Sequence, residues 1–252
     1  MSISPPPSSR TASSAERAAL DEQVAGSPRK AKSTFVFIRD LLGILALAIL
    51  LSIGIKEFLV RSFFIPSESM SNTLQINDRI LVNELIPAVI PLARGDVVVF
   101  TDPGGWLPTT PAKVNPIDAA LSVVGLGSSD SNNHLIKRVI GLPGDRVVCC
   151  NALGQVTVNG IALREPYLKF PALPSARPFD IVVPAGALWV LGDNRQHSTD
   201  SSVHVSDGTP SKGFVPIENV VGRAFVITWP IKHWTVISDY PEVFATVPPP
   251  TP

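Results

Sequence analysis

His134-Leu-Ile-Lys-Arg-Val-Ile-Gly-Leu-Pro-Gly-Asp145 decides how this chain folds. A run rich in β-branched residues, closed by Gly, Pro, Gly and Asp, predicts a strand that ends in a turn. On such a strand Leu135, Lys137 and Val139 share one face, while Ile136, Arg138 and Ile140 share the other. Lys137 is thereby set among apolar neighbours, and Arg138, on the opposite face, is expected to reach solvent. The same grammar recurs at 79–82, 96–100, 146–150, 187–191 and 220–228, always between Gly, Pro, Asn or Asp. The external part of the chain is therefore expected to be mainly β. In Gln155-Val-Thr-Val-Asn-Gly-Ile-Ala162, Asn159-Gly160 between apolar alternations predicts a two-residue hairpin turn.

Working outward from these strands, residues 1–34 are rich in Ser, Ala, Pro and charge and are expected to be a disordered segment. Leu41 to Ile55 is a charge-free apolar run, and extension to 35–60 reaches the roughly 20 residues that span a bilayer. A cleaved signal peptide is the competing account, since Ser52-Ile53-Gly54 offers a small-x-small end. The long leading segment and the continuing Lys56-Glu57-Phe58-Leu59-Val60 favour an uncleaved, single-pass anchor. Arg29, Lys30, Lys32 and Arg39 precede the span, while Lys56 and Arg61 follow it, which places the N-terminus in the cytoplasm. Residues 61–245 then form an extracytoplasmic β-rich domain, interrupted by a Pro-, Gly- and Ser-rich insertion at 102–133 that carries an apolar piece at 117–126. Residues 246–252 are a loose Pro-rich tail.

Lys+Arg and Asp+Glu are each 21, so no basic field recommends a nucleic acid as partner. The only cysteines, Cys149 and Cys150, are adjacent and are expected to be two small buried strand residues without a disulfide. With four scattered histidines they supply no metal-ligand spacing.

Just past the apolar run stands Ile65-Pro-Ser-Glu-Ser-Met70. A serine hydroxyl needs a neighbouring base to become a nucleophile. His197, between Asp193 and Asp200, is one candidate base. Lys137 is the other, provided burial lowers its pKa. Taken alone, Ser69 is a loop hydroxyl, Lys137 a strand lysine reaching for water, and Asp193, Asn194 and Asp200 turn-forming residues.

Together these segments resemble the type I signal peptidases, membrane-anchored serine proteases of exported proteins. The resemblance runs from about residue 40 to 240 and is carried by 65–70 with Thr73-Leu74, by Arg94-Gly-Asp-Val-Val-Val-Phe100, by Lys137 to Asp145, and by Gly192-Asp-Asn-Arg195 with Ser198, Asp200 and Ser201. It implies a β domain of two antiparallel sheets, with Ser69 as nucleophile and Lys137 as general base. It further implies that the Ser67 hydroxyl donates to the oxyanion, that Ser198 hydrogen-bonds the Lys137 amine, and that Asp193, Asn194, Arg195 and Asp200 support the site. No metal and no cofactor is implied. The expected partners are signal peptides cleaved after Ala-x-Ala-like sequences, the lipid bilayer and protein-export machinery, with the enzyme a monomer. Ile65, Leu81 and Val139 are expected at the pockets, and Phe63, Phe64 and Leu74 at the headgroups. Two positions depart from the family pattern: Asn72 stands where Pro is frequent, and Ser202 where an Arg often follows the Asp-Ser pair. Asp200 then needs another partner, with Arg195, Lys212 or water as candidates. A Ser/Lys self-cleaving regulator, a protease of assembled surface proteins and an inactive binding domain remain as rival functions.

Overall fold

The computed structural model describes residues 34–107, 133–171, 173–205, 208–209 and 211–250. The leading segment with Arg29, Lys30 and Lys32, and the apolar piece 117–126 of the insertion, lie outside the described residues. The chain divides at residues 51 and 52 into two units. Most of helix α1, Thr34–Phe58, belongs to the first. No Pro interrupts it, and Phe37, Leu41, Ile44, Leu47 and Leu50 are all exposed. Among the described residues no helix is long and apolar enough to cross a membrane. The helix stops at Phe58 rather than at Val60, because Val60 opens a strand and pairs with Asn83.

The second unit is built from β1 (Val60–Phe64), β2 (Arg79–Asn83), β3 (Val97–Thr101), β4 (His134–Gly141), β5 (Arg146–Cys149), β6 (Thr157–Val158), β7 (Ile161–Ala162), β8 (Phe179–Val182), β9 (Ala187–Leu191), β10 (Val215–Pro216), β11 (Val220–Trp229) and β12 (Thr235–Val236). Two short helices, α2 (Ser201–His204) and α3 (Pro241–Phe244), follow β9 and β12. One sheet runs β1-β2-β11-β3-β4-β9-β10 with β12 beside β11, and the other runs β7-β6-β5-β8. Every pairing is antiparallel, as expected of the two sheets.

The larger sheet is covered on both faces, which is why β3 reads as an unbroken apolar run rather than an alternation. Val97 and Val99 join Ile65, Met70, Leu74 and Ile136 in one core, while Val98 and Phe100 join Val139, Val190 and Val215 in another. A third core, around Trp189, Phe179 and Val147, closes the smaller sheet. The predicted hairpin is present: Asn159 and Gly160 have φ of 49° and 82° between β6 and β7.

Two terminal or sulfur features differ from expectation. Cys149 and Cys150 are joined to each other by a disulfide, with Cys149 buried at the end of β5 and Cys150 exposed just beyond it. The C-terminal segment is docked rather than loose as far as Pro250. Val247 is buried with Phe244 in the third core, and the Pro248 carbonyl accepts from Arg94 and Asn159.

Candidate active site

Ser69 is carried by the turn that leaves β1. The Ile65 N–H donates to the Asp78 carbonyl at 2.9 Å and the Asn77 N–H to the Ile65 carbonyl at 2.9 Å, prolonging the β1–β2 ladder by one rung. Ile65, Met70 and Leu74 then sink into the core and leave Pro66, Ser67 and Glu68 outside. The serine is thus fixed between two apolar anchors, and Met70 fills the core rather than acting chemically. Asn72 has φ of 101° and donates to the Tyr167 carbonyl at 3.0 Å. Proline, confined near −65°, cannot take that conformation, so this departure alters a turn.

Lys137 comes from the middle of β4, where it pairs with Val98 of β3 and shares a face with Leu135 and Val139. Only 3% of its surface is exposed. Its Nζ lies 2.8 Å from Ser69 Oγ and donates to the Ile136 carbonyl at 3.0 Å. Burial strips hydration from the ammonium and lowers its pKa to about 8, against the upward pull of the Asp200 and Asp193 carboxylates. A lysine so placed supplies a free amine near neutral pH. Ser67 Oγ stands 3.4 Å from Ser69 Oγ and is exposed. It lines a cavity of about 230 Å³ with Phe63, Phe64, Ile65, Ile136 and Lys137. Of the expected pocket residues Ile65 is there, whereas Leu81 and Val139 are not: Val139 is fully buried in the core with Val98 and Val190. His134 and Leu107 are lining residues that strand alternation gave no means of finding.

The loop after β9 closes over the serine. The Asn194 N–H donates to the Ser69 carbonyl at 3.0 Å and its side-chain amide to the Glu68 carbonyl at 3.0 Å. Gly192 lies so close that a Cβ there would collide with the Ser69 carbonyl and the Ser198 side chain. Ser198 is buried against Gly192, and its hydroxyl has no hydrogen-bond partner. The expected bond from Ser198 to the Lys137 amine is therefore absent, because that hydroxyl is turned onto the Gly192 α-carbon.

The supporting residues have partners that spacing did not reveal. Arg138 does not reach solvent. It is fully buried and grips Asp193 with two bonds of 2.9 and 2.7 Å under the Tyr167 ring. Asp193 also accepts from the Thr73 hydroxyl, tying β4, the serine turn and the β9 loop together. Arg195 is spent on Glu165 in a second buried ion pair. Asp200 is therefore not paired with Arg195, and among the described residues Lys212 does not reach it. Its carboxylate accepts from the Gly192 N–H at 3.0 Å, the Ser202 N–H at 3.1 Å and the Ser202 hydroxyl at 2.7 Å. The residue that stands where an Arg is frequent is itself the partner. His197 turns away from Ser69 to a half-exposed contact of 2.8 Å with Glu68, so the geometry favours Lys137 as the base. No group of His, Cys, Asp and Glu fit to hold a metal occurs among the described residues.

A serine hydroxyl against a buried lysine amine, beside an apolar cavity on a β scaffold, is the arrangement that a serine hydrolase of the Ser/Lys kind requires. The family described as signal peptidase, peptidase S26, matches residues 38–229. Signal peptidase I of Mycobacterium tuberculosis (strain ATCC 25618 / H37Rv) is 36% identical over 234 residues, covering 83% of this chain and 78% of that one. Probable signal peptidase I-2 of Synechocystis sp. (strain ATCC 27184 / PCC 6803 / Kazusa) is 37% identical over 195 residues, covering 77% and 75%. A crystal structure of a signal peptidase I from Enterococcus faecalis V583 aligns at 24% identity over 52% of this chain and 95% of that chain, with a TM-score of 0.33. On the family match and the sequence relatives, the chain belongs to the signal peptidase family, peptidase S26.

Proposed function

We propose that Ser69 is the nucleophile and Lys137 the general base of a signal peptidase I. The chain is a serine endopeptidase and removes signal peptides from exported preproteins. The observation that carries the assignment of the two residues is the 2.8 Å contact between Ser69 Oγ and a lysine amine brought to about 8 by burial. Neutral Nζ takes the hydroxyl proton as Oγ bonds to the scissile carbonyl carbon. The carbon–nitrogen bond then breaks, and the departing amine leaves with the proton from Lys137. Water next attacks the acyl ester, passes a proton to Lys137, and the released Ser69 oxygen takes it back. Ser67 Oγ, open to the cavity, and the Ser69 N–H donate to the oxyanion, a contribution of about 3 kcal/mol per donor. Ser198, whose buried hydroxyl lacks a partner, is the group available to orient the Lys137 ammonium once its proton has moved. The apolar cavity suits the small side chains of an Ala-x-Ala sequence.

The same reading makes α1 a single-pass anchor. The support is in the sequence, where the charge-free run Leu41 to Ile55, extended to 35–60, reaches the roughly 20 residues that span a bilayer. The excess of basic residues before it supports a cytoplasmic N-terminus and an external domain over 61–245. Phe63 and Leu74, expected at the headgroups, are buried in the core. Among the exposed apolar side chains of the β domain, Trp229, Ile231, Trp234 and Val236 gather on the β11–β12 hairpin, all more than half exposed. Tryptophan favours the membrane interface, which supports lipid as a partner.

Cleavage of a preprotein ending in Ala-x-Ala by the full-length chain in detergent tests the assignment. Ser69→Ala and Lys137→Ala are expected to be inactive and His197→Ala active. Activity that survives Lys137→Ala and is lost in His197→Ala overturns it.

A further inference from the structure

The ion pairs of the β domain leave two buried charges over. Asp96 faces Arg223, Asp145 faces Arg94, and Asp78 contacts the His233 ring. Behind the catalytic serine, Asp193 is taken by Arg138 and Arg195 by Glu165. Lys137 and Asp200, 3% and 1% exposed, are the buried charged residues among those described that have no ion partner within bonding distance. Asp200 is held by neutral donors alone: the Gly192 N–H, the Ser202 N–H and the Ser202 hydroxyl. Its position is behind the dyad, since the Gly192 that bonds it lies directly against the Ser69 carbonyl and Ser198.

We propose that Asp200 is a positioning residue for the reaction, an unneutralised buried carboxylate that acts through space on the Lys137 amine and sets the acid limit of cleavage, with Ser202 as the neutral cap that leaves its charge uncompensated. The inference rests on Lys137 being the base. Hydrogen bonds from neutral donors hold a carboxylate in place without cancelling its field. In a buried site poor in water that field reaches beyond contact distance. An anion there favours the ammonium form of Lys137 over the amine. It therefore holds the base back at low pH, and it steadies the ammonium created when the Ser69 proton moves.

The other charges around Lys137 do not do this. Asp193 also pulls its proton affinity upward, but the guanidinium of Arg138 sits on that carboxylate. Arg195, whose Nε donates to the Gly192 carbonyl at 2.9 Å, also feels the Asp200 carboxylate, but Glu165 grips its guanidinium and offsets its charge. Glu68 and His197 form a half-exposed, screened pair, and the His204 ring of α2 stacks on Trp106. A cation at position 202 would neutralise Asp200, whereas serine does not.

The test is the pH profile of kcat/KM for preprotein cleavage by the full-length chain. In Asp200→Asn the acid limb is expected to move down by about one pH unit, with a lowered plateau. Ser202→Lys is expected to move it down as well, while Ser202→Ala and Asp200→Glu, which keep the carboxylate, leave it in place. A purely structural role would lower the plateau without moving the limb. An Asp200→Asn protein that unfolds at the wild-type temperature and keeps the wild-type limb overturns the proposal. Should that variant not fold, an unmoved limb in Ser202→Lys does so. Loss of activity in Lys137→Ala alongside such a result refutes the part given to Asp200 alone, whereas activity retained in Lys137→Ala removes the base assignment instead.

Discussion

Lys137 is buried at a position where its ordinary charge is a liability, and that burial has opposite consequences for activity and stability. Proton abstraction needs the neutral amine, so kcat/KM is expected to rise with pH through about 8 and then level. A pH profile on a preprotein substrate checks this. For stability, the folded state releases the Lys137 proton near 8, whereas the unfolded chain keeps it to about 10.5. The unfolded state binds more protons across that window, so the destabilisation is complete below about 8 and fades as pH rises toward 10.5. At about 1.4 kcal/mol per pH unit it is on the order of 3 kcal/mol. Lys137→Met, similar in length and uncharged, is expected to be inactive yet to melt several degrees higher at pH 7, with the gain shrinking at pH 10. Thermal unfolding at the two pH values measures it. Gly192→Ala is the complementary case. The added methyl group has no room between the Ser69 carbonyl and Ser198, so activity is expected to fall at least 100-fold while the sheet survives by circular dichroism.

The β6–β7 hairpin and the C-terminal segment stabilise each other. Asn159 supplies a turn residue of positive φ, and its side chain accepts from the Arg146 N–H at 2.9 Å and donates to Asp145 at 2.9 Å and to the Pro248 carbonyl at 3.0 Å. Arg94 grips the same Asp145 with two bonds of 2.7 Å and also reaches Pro248. Asn159→Ala removes these bonds and the preference for the turn, and is expected to destabilise by about 2 kcal/mol. Deletion of 246–252 is expected to destabilise by a similar free energy through loss of Val247 from the core, read as a lowered melting temperature, with the Ser69–Lys137 contact intact and cleavage at 25 °C retained. The Asn-Gly turn was legible because its chemistry is local. The docking of the tail was not, since Pro248 meets Asn159 across 89 positions of sequence.

For the whole molecule, the anchor reading of α1 predicts that the full-length protein stays with membranes after alkaline carbonate extraction. Release into the soluble fraction would remove that reading. Lys137 was legible as a buried strand lysine because alternation places a side chain on a face, and its neighbours Leu135 and Val139 are close in sequence. Arg138 shows the limit of the same argument. Alternation put it on the opposite face, but whether that face meets water depends on Asp193, Tyr167 and Tyr240, brought over it from distant loops. Strand β8 and the pairing of Val60 with Asn83 escaped notice because their registers are set by partners rather than by their own pattern.

By itself the sequence determined the β grammar, the turn at Asn159-Gly160, the two segments that bear Ser69 and Lys137, and the family to which they belong. These follow from periodicity, turn chemistry and spacing, all short-range. Only the tertiary structure decided that Ser69 Oγ meets Lys137 Nζ at 2.8 Å, that Ser198 is left without a partner, and that Ser202 caps Asp200 beneath the serine. Which buried charges find partners is a matter of which loops converge, and burial makes each unpaired charge count.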